Sequence, residues 1–276
     1  MMGFIREEKL DTYFYTVPAF SETGLVEHGF TCRLGGVSQG DFASFNLAFH
    51  VGDNPESVRK NRRKMVSLLG KDLDSLVAGE QVHSSHIHIV DVNDRGRGSA
   101  SYDSSIPGTD ALITNLPGII LSSYYADCVP VFFLDPINKV IALAHAGWKG
   151  TVQNIAGLTI QKMTALFGTD PSNCLAAIGP SIGKCCFQVD QPVLEEFARD
   201  IDQYERFCCS QGKGKWFLDL PGINEHLLVQ HGLKHQNITQ SGICTSCQHE
   251  IFYSYRKDQG KTGRQAALMM LRERSC

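Results

Sequence analysis

Apolar residues in this chain fall into short runs separated by turn residues, and this pattern predicts buried β-strands. Each run is bounded by Gly, Pro, Asn or Asp. Short apolar runs with such boundaries are typical of strands that are buried on both faces. The predicted strands are 87–92, 110–114, 118–125, 129–134, 139–144 and 173–179.

A different spacing of apolar residues predicts helices. Residues from Val58 to Leu69 recur at helical intervals after Asn54 and Pro55, where a capping side chain and a first-turn proline favour a helix start, and Gly70 ends the pattern. The other predicted helices are 150–167, 192–199, 221–232 and 262–272. Because strands and helices come in pairs without strict alternation, we predict an α/β fold with a mixed β-sheet and outer helices.

Composition narrows the class of protein. The chain has 276 residues, 42% of them hydrophobic, and no repeat or long linker, so we expect a single unit over residues 1–276. A net charge of −3 provides no basic field for a nucleic-acid backbone, so nucleic acid is not an expected partner. No apolar run approaches the roughly 20 residues of a membrane span. The charged and aromatic N-terminal segment is unlike a signal peptide, so we expect a cytoplasmic protein without membrane contact.

The 10 cysteines are many for a cytoplasmic chain. Since cytosolic thiols stay reduced, metal binding, catalysis or core packing is favoured over disulfide formation. The adjacent pairs 185–186 and 208–209 are expected to be poor ligand pairs, because neighbours in a strand point to opposite faces. Cys244 and Cys247 form a C-x-x-C with no second pair at zinc-ribbon spacing. We interpret it as a turn with reduced thiols rather than a redox pair.

Three segments place potential metal ligands where a predicted strand meets a turn. They are 79–83 (GEQVH), 126–130 (ADCVP) and 144–151 (AHAGWKGT). One thiolate and two imidazoles, from Cys128, His83 and His145, form a ligand set that suits zinc, with copper as the second choice. Three protein ligands leave a fourth position for water or substrate, as in catalytic zinc sites. The spacing alone leaves open that these are three unrelated structural residues.

An anion site is predicted beside these ligands. The glycines of HAGWKGT allow a ligand to approach the backbone closely, the following helix start offers free N–H groups, and Lys149 adds a positive charge. Arg33 lies in a glycine turn (RLGGVS), while Arg256 and Arg264 precede or begin the last predicted helix. Each arginine has two interpretations, a phosphate contact or a surface ion pair.

The motifs together resemble the YfiH-like laccase-domain family. The resemblance runs from about Arg33 to Leu271, in the same order, and covers nearly the whole chain. It is carried by RLGGVS, FNLAFHVGDNPESVRKNR, GEQVH, ADCVPVFFLDP, AHAGWKGT, GPSIGKCCFQV and CTSC…FYSYRKD…KTGRQAAL.

This resemblance implies a fold, a metal and a reaction. The fold is an α/β/β/α sandwich shared with a bacterial deamidating toxin that uses Cys and His. The metal is zinc, held by His83, Cys128 and His145, although an older family label, polyphenol oxidase, implies copper. The reaction is phosphorolysis of adenosine, inosine and S-methyl-5′-thioadenosine, with adenosine deamination as a second activity. Bacterial members are also connected with editing of peptidoglycan precursors.

The residues can be assigned roles in such a reaction. Metal-bound water attacking adenine would need an acid to shuttle protons, and Glu80 and Asp127 are the acids nearest the ligands in sequence. Phosphate would need cations. The candidates for phosphate are Arg33, Lys149, Arg256 and Arg264, and those for ribose or base are Asn46, Gln81 and Asp127. The expected partners are therefore a nucleoside and phosphate, in a monomer or small homo-oligomer.

Alternative functions stay open at this point. A metal-free Cys–His hydrolase or amidase would use Cys128 as nucleophile, His145 or His83 as base and Asp127 to orient the base. A protein whose metal only stabilises the fold is disfavoured by the open fourth position. A copper polyphenol oxidase is physically weak, because multicopper oxidation needs a further His-rich cluster that 10 scattered histidines do not supply.

Overall fold

The computed structural model describes residues 3–273. Its strands, in chain order, are β1 (Ile5–Lys9), β2 (Thr12–Thr16), β3 (Val26–Thr31), β4 (Leu76–Ala78), β5 (Ile87–Ile89), β6 (Ala111–Thr114), β7 (Ile120–Tyr125), β8 (Val129–Asp135), β9 (Val140–Ala146), β10 (Leu175–Ile178), β11 (Gln188–Asp190), β12 (Cys208–Gly212), β13 (Lys215–Leu218), β14 (Ile238–Gln240) and β15 (Gln265–Leu271). Its α-helices are α1 (Pro18–Ser21), α2 (Pro55–Ser67), α3 (Trp148–Val152), α4 (Ile155–Phe167), α5 (Gln191–Asp200) and α6 (Leu220–Gln230).

The strands form two large mixed sheets and one small sheet. The first large sheet has six strands in the order β1-β2-β3-β15-β7-β4, and the second has six in the order β14-β10-β8-β9-β6-β5. The small sheet has the order β11-β13-β12. Neighbouring strands run antiparallel except for β4–β7, β10–β14 and β5–β6, which are parallel pairs at sheet edges. The predicted mixed α/β sandwich is confirmed.

Strand β8 shows how the layers are packed. Phe132 and Leu134 point to the core between the two large sheets, while Val131 and Phe133 point to the core under α4, α5 and α6. A strand with one exposed face alternates apolar and polar residues. Because both faces of β8 are buried, residues 129–134 are all apolar. Helix α2 covers the outer face of the first sheet through Met65 and other side chains.

The prediction of a helix over 262–272 is wrong. Residues Gln265–Leu271 form β15, which pairs with β3 on one side and β7 on the other and is buried throughout. The segment AALMML has good helix propensity, but a central position between two strands outweighs this small local preference. This correction moves Arg264 from a helix start to the beginning of a central strand.

The other predicted helices and strands differ from the observed ones mainly in the residues at which they begin and end. The predicted helix 150–167 is two helices, α3 and α4, because Asn154 adopts a left-handed conformation (φ 58°) and its side chain accepts a hydrogen bond from Gly157 N. In α2, the Asn54 side chain accepts hydrogen bonds from Glu56 N and Ser57 N, as a capping residue should.

The single unit over residues 1–276 stays a prediction. Among residues 3–273, no helix combines the length and apolar character of a membrane span.

Candidate metal centre

Three distant segments bring His83, Cys128 and His145 together, and we call these residues the metal centre. His83 follows β4, Cys128 precedes β8 and His145 lies near the end of β9. Their donor atoms all lie within 4.8 Å of one another, and Cys128 Sγ is 3.7 Å from His83 Nε2. The antiparallel register of β8 and β9, with Val129 opposite Ala146, brings Cys128 to the end of β9.

Gly147 is required by the close packing of the metal centre. A Cβ atom at this position would lie 2.8 Å from His83 Cδ2 and 3.0 Å from Cys128 Sγ. Both distances are shorter than ordinary van der Waals contact, so a side chain here would push the two ligands apart. The glycine of the HAGW motif therefore has a packing reason.

Two non-glycine residues at the site have left-handed backbone conformations, His83 with φ 61° and Asp127 with φ 85°. Such conformations cost energy and are concentrated at functional sites. Hydrogen bonds hold both residues in place. His83 N donates to Asp110 Oδ1 at 3.0 Å, and the Asp127 carboxylate accepts from Thr245 Oγ1 and Arg256 N, each at 2.7 Å.

Asp110 is a further candidate site residue, which the sequence reasoning missed. Its carboxylate, 2% exposed, accepts hydrogen bonds from His145 Nδ1 at 2.8 Å, His83 N at 3.0 Å and Ser84 N at 2.7 Å. Because Nδ1 of His145 is used, Nε2 is the ring nitrogen left to face Cys128. A carboxylate that orients a ligand histidine in this way is the usual support of protein metal sites. A polar residue at the start of an apolar strand was the available signal.

The charges of Cys128 and His145 stabilise one another. Burial alone would raise the pKa of Cys128, but the charge and hydrogen bond of His145, with His83, lower it to about 6. Burial likewise opposes protonation of His145, but the Cys128 thiolate and Asp110 raise the pKa of His145 to about 9. Without a metal, these residues therefore form a thiolate–imidazolium pair near neutral pH.

The donor set fits a zinc ion. A thiolate is already formed near neutral pH, two imidazoles converge on it, and Asp110 supports one of them. His145 would release its proton to the solvent on metal binding, as metal ligands generally must. Three protein donors would leave a fourth coordination position for water or a small molecule.

A cavity of about 550 Å³ opens beside the metal centre. This volume is within the range of small-molecule sites. Of the residues predicted for substrate, those lining it are Gln81, Asp127, Lys149, Arg256 and Arg264. The lining residues that sequence reasoning did not single out include His50, Tyr124, Trp148, Phe187 and Tyr255.

Several lining side chains are already engaged in holding the cavity wall. The Gln81 amide donates to Tyr124 O and accepts from Tyr124 N, which fixes the end of β7. Arg256 Nη1 donates to Cys186 O at 3.1 Å and to Gln188 O at 3.0 Å. These contacts give the cavity a preformed shape.

Two predicted substrate residues, Arg33 and Asn46, lie outside the cavity lining. Arg33 donates to backbone oxygens of Ala43 and His249 and packs over the Tyr253 ring. Asn46 is fully buried, and its Oδ1 accepts from Arg264 N at 2.9 Å. Asn46 therefore contacts the backbone of a cavity residue rather than the cavity itself.

Two acids considered as proton shuttles have other partners. Glu80 accepts from Gly108 N at 3.1 Å and does not line the cavity. Asp127 lines it, but both of its carboxylate oxygens accept hydrogen bonds from the protein. Burial raises the pKa of Asp127, against the lowering effect of these hydrogen bonds.

Four cysteines form a second group outside the metal centre. Cys185 and Cys186 lie in a turn rather than a strand, and both sulfurs face Cys247 of the C-x-x-C segment. The expectation that Cys185 and Cys186 are a poor ligand pair assumed a strand, and that assumption is wrong because the two residues lie in a turn. Cys208 and Cys209 do lie in a strand, β12, and the C-x-x-C still has no second pair at zinc-ribbon spacing. A turn lets adjacent side chains converge, which a strand does not.

Comparison with known proteins gives consistent matches. A family model described as multi-copper polyphenol oxidoreductase laccase matches residues 27–272. Purine nucleoside phosphorylase YlmD of Bacillus subtilis is 39% identical over 246 residues, which are 89% of this chain and 88% of that protein. Adenosine deaminase RL5, from an unknown prokaryotic organism, is 34% identical and covers 81% of this chain and 85% of its own length. The crystal structure of YlmD from Geobacillus stearothermophilus matches with a TM-score of 0.93 and 35% identity, over 99% of this chain and 100% of that one.

Proposed function

The chain belongs to the YfiH-like laccase-domain family, and we propose that it is an enzyme that processes nucleosides, specifically a zinc-dependent purine nucleoside phosphorylase. The zinc ligands in this proposal are His83, Cys128 and His145. Adenosine deamination is the proposed second activity. The names of the relatives support a reaction on nucleosides. The ligand group and the cavity beside it support the proposed roles of the residues.

One observation carries the proposal. The three donors lie together at the edge of a cavity that is also lined by Lys149, Arg256 and Arg264. A soft metal site with an open position suits a neutral organic substrate, and three cations suit a phosphate. A cavity of about 550 Å³ has room for both.

Phosphorolysis requires a phosphate oxygen to attack C1′ of the ribose while the bond from C1′ to the purine nitrogen breaks. The bonding electron pair leaves with the purine, and positive charge develops on the ribose. Lys149, Arg256 and Arg264 would hold the phosphate and keep it near C1′. A bound zinc ion supplies a Lewis acid that can polarise a substrate oxygen or ring nitrogen.

The chain's own residues prepare the centre for this role. Asp110 keeps His145 in the tautomer that presents Nε2, and Gly147 allows the ligands to approach. Asn46 fixes the backbone of Arg264. Since Asp127 accepts hydrogen bonds at both oxygens, we propose that it positions the Arg256 segment rather than moving a proton.

A second candidate function is favoured by the same hydrogen bonds. Cys128, His145 and Asp110 have the order of a nucleophile, base and orienting acid, with Asp110 Oδ1 2.8 Å from His145 Nδ1. A metal-free Cys–His hydrolase would use this arrangement directly. Metal content separates the two functions, because the hydrolase would be active without zinc.

Copper oxidase chemistry is less well supported. In residues 3–273, the second group of potential ligands consists of four cysteines and contains no histidine. Multicopper oxidation needs a His-rich cluster near the first copper.

The proposal is tested by incubating the purified protein with adenosine, with and without inorganic phosphate. We expect adenine and ribose 1-phosphate only when phosphate is present, and some inosine in either case. His83→Ala should abolish all three products, whereas His86→Ala should not, because exposed His86 lies outside the cavity lining. Product levels no higher than those of His83→Ala would refute the proposal.

A further inference from the structure

The cysteine cluster, formed by Cys185, Cys186, Cys244 and Cys247, has the dimensions of a metal site. Its four sulfurs lie within 4.8 Å of one another. Cys247 Sγ is 3.5 Å from Cys185 Sγ and 3.5 Å from Cys186 Sγ. In a tetrahedral zinc–thiolate site with bonds of about 2.3 Å, sulfurs are roughly 3.8 Å apart. The two Cys247 distances are close to this value, and no pair of the four sulfurs is more than 4.8 Å apart.

Disulfide formation explains this arrangement less well. A disulfide joins two sulfurs at about 2.05 Å and leaves the others out. Cys247 is equally distant from two sulfurs, and all four cysteines are free thiols in the structure. Exposed thiols such as Cys185 and Cys247 are also open to oxidation. One metal ion satisfies all four thiols at once.

The backbone at Gly183 packs against the cysteine cluster and supplies one N–H donor to a cluster sulfur. Gly183 N donates to Cys244 Sγ at 3.3 Å. A Cβ atom on Gly183 would lie 3.2 Å from Cys244 Cβ and 3.4 Å from Cys185 Sγ, so glycine allows the two segments to approach.

The cysteine cluster joins two segments that build the cavity wall. Ser181 and Cys244 form a parallel β-bridge, and Thr245 N donates to Ser181 O at 2.9 Å. From these segments, Ile182 N donates to the backbone oxygen of Asp127, and Thr245 Oγ1 donates to its carboxylate. A cross-link at the cysteine cluster would therefore hold the residues that fix Asp127.

We propose that Cys185, Cys186, Cys244 and Cys247 bind a second, structural zinc ion, closed by four thiolates. This zinc has no open position and takes no part in the chemistry. It stabilises the loop pair that supports Asp127 and Arg256. The assignment does not depend on which reaction the metal centre performs.

The first test is zinc content, measured by plasma mass spectrometry on protein purified with a reductant. The double variant Cys185→Ser/Cys247→Ser should lose one zinc per chain relative to the wild type, and its melting temperature should fall. The matched control is Cys208→Ser/Cys209→Ser, an adjacent pair in β12 that should keep the wild-type zinc content. Equal zinc content in the wild type and the double variant would overturn the proposal.

A second measurement keeps the proposal testable if the double variant fails to fold. In Cys128→Ala the metal centre is disabled, and only the cysteine cluster should take up cobalt(II) added in place of zinc. We expect one cobalt per chain, with the intense thiolate-to-cobalt absorption of a tetrahedral four-sulfur site. No such absorption, or a Cys185–Cys247 disulfide found by peptide mass spectrometry of the wild-type protein, would contradict the assignment.

Discussion

The metal centre and the cysteine cluster are close neighbours, since Asp127 precedes Cys128 in the chain and accepts hydrogen bonds from Ile182 and Thr245 beside the cluster. The metal centre mixes nitrogen with sulfur, has Asp110 behind it and faces a cavity. The cysteine cluster has sulfur donors only and lies near the surface. If both proposals hold, the number and environment of the donors, rather than the presence of cysteine, distinguish the reactive metal site from the structural one.

Removing the Cys128 thiolate from the metal centre should cause the largest loss of activity. Cys128→Ala leaves two imidazoles, and we expect loss of its zinc and a fall in kcat of about a thousandfold, since Lewis-acid stabilisation is worth several kcal/mol. Steady-state phosphorolysis of adenosine measures this. Cys209→Ser, an exposed cysteine of β12, is the control and should retain full activity. A Cys128→Ala enzyme with near wild-type kcat would remove the distinction between the two sites.

Asp110 is predicted to have the next largest effect, and only on the metal centre. Asp110→Asn would keep the shape but lose the charge that holds the His145 tautomer, so zinc affinity should fall about 10- to 100-fold. Competition with a coloured chelator measures the affinity. Zinc binding at the cysteine cluster should be unchanged, because the hydrogen bonds of the Asp110 carboxylate join it to residues 82–84 and His145. Equal weakening of both sites would show a general loss of structure instead.

Arg264→Lys should affect phosphate more than nucleoside. Arg264 lines the cavity, and lysine cannot make the paired hydrogen bonds of a guanidinium, so the KM for phosphate should rise about tenfold. Arg33→Lys is the matched control because Arg33 lies outside the cavity and should leave that KM unchanged. Initial rates at varied phosphate and fixed adenosine give both values. A larger rise with Arg33→Lys would assign the phosphate to the surroundings of Arg33 instead of the cavity.

The smallest predicted difference between the metal centre and the cysteine cluster is in the pH at which their thiols react. After zinc removal, the pKa of about 6 for Cys128 predicts that its alkylation by iodoacetamide rises as pH increases through about 6, because the thiolate fraction rises. Local desolvation and the neighbouring thiols raise the pKa of Cys185, so its labelling should need more alkaline conditions. Peptide mass spectrometry over a pH series measures both. Coincident profiles would contradict the charge pairing of Cys128 with His145.

The sequence predicts five of the six strands of the second large sheet, because buried strands have a strong local signature, but of the first large sheet it predicts only β7. Segments 129–134 and 139–144 are continuously apolar apart from Lys139, and they correspond to the central strands β8 and β9. The segment 262–272 is misread because its composition suits both helix and strand, and only its two neighbours, β3 and β7, decide the outcome.

Site residues can be predicted from the sequence where they lie in short motifs. They cannot be predicted where their role depends on contacts between distant parts of the chain. His83, Cys128 and His145 are found from the ends of their strands and from the family resemblance. Asp110 is missed because its role depends on a contact with His145, 35 residues away in the chain. The cysteine cluster is missed for the same reason, since 61 residues separate Cys186 from Cys247.

The central claim is that His83, Cys128 and His145 hold a zinc ion that faces the cavity. A crystal structure with anomalous data collected at the zinc edge tests this most directly, because it locates each zinc separately. We predict a peak about 2.0–2.4 Å from Cys128 Sγ and from one ring nitrogen of each histidine, with its open side toward Arg264. An active crystalline protein with no anomalous density between these three residues would contradict the account and favour the metal-free hydrolase.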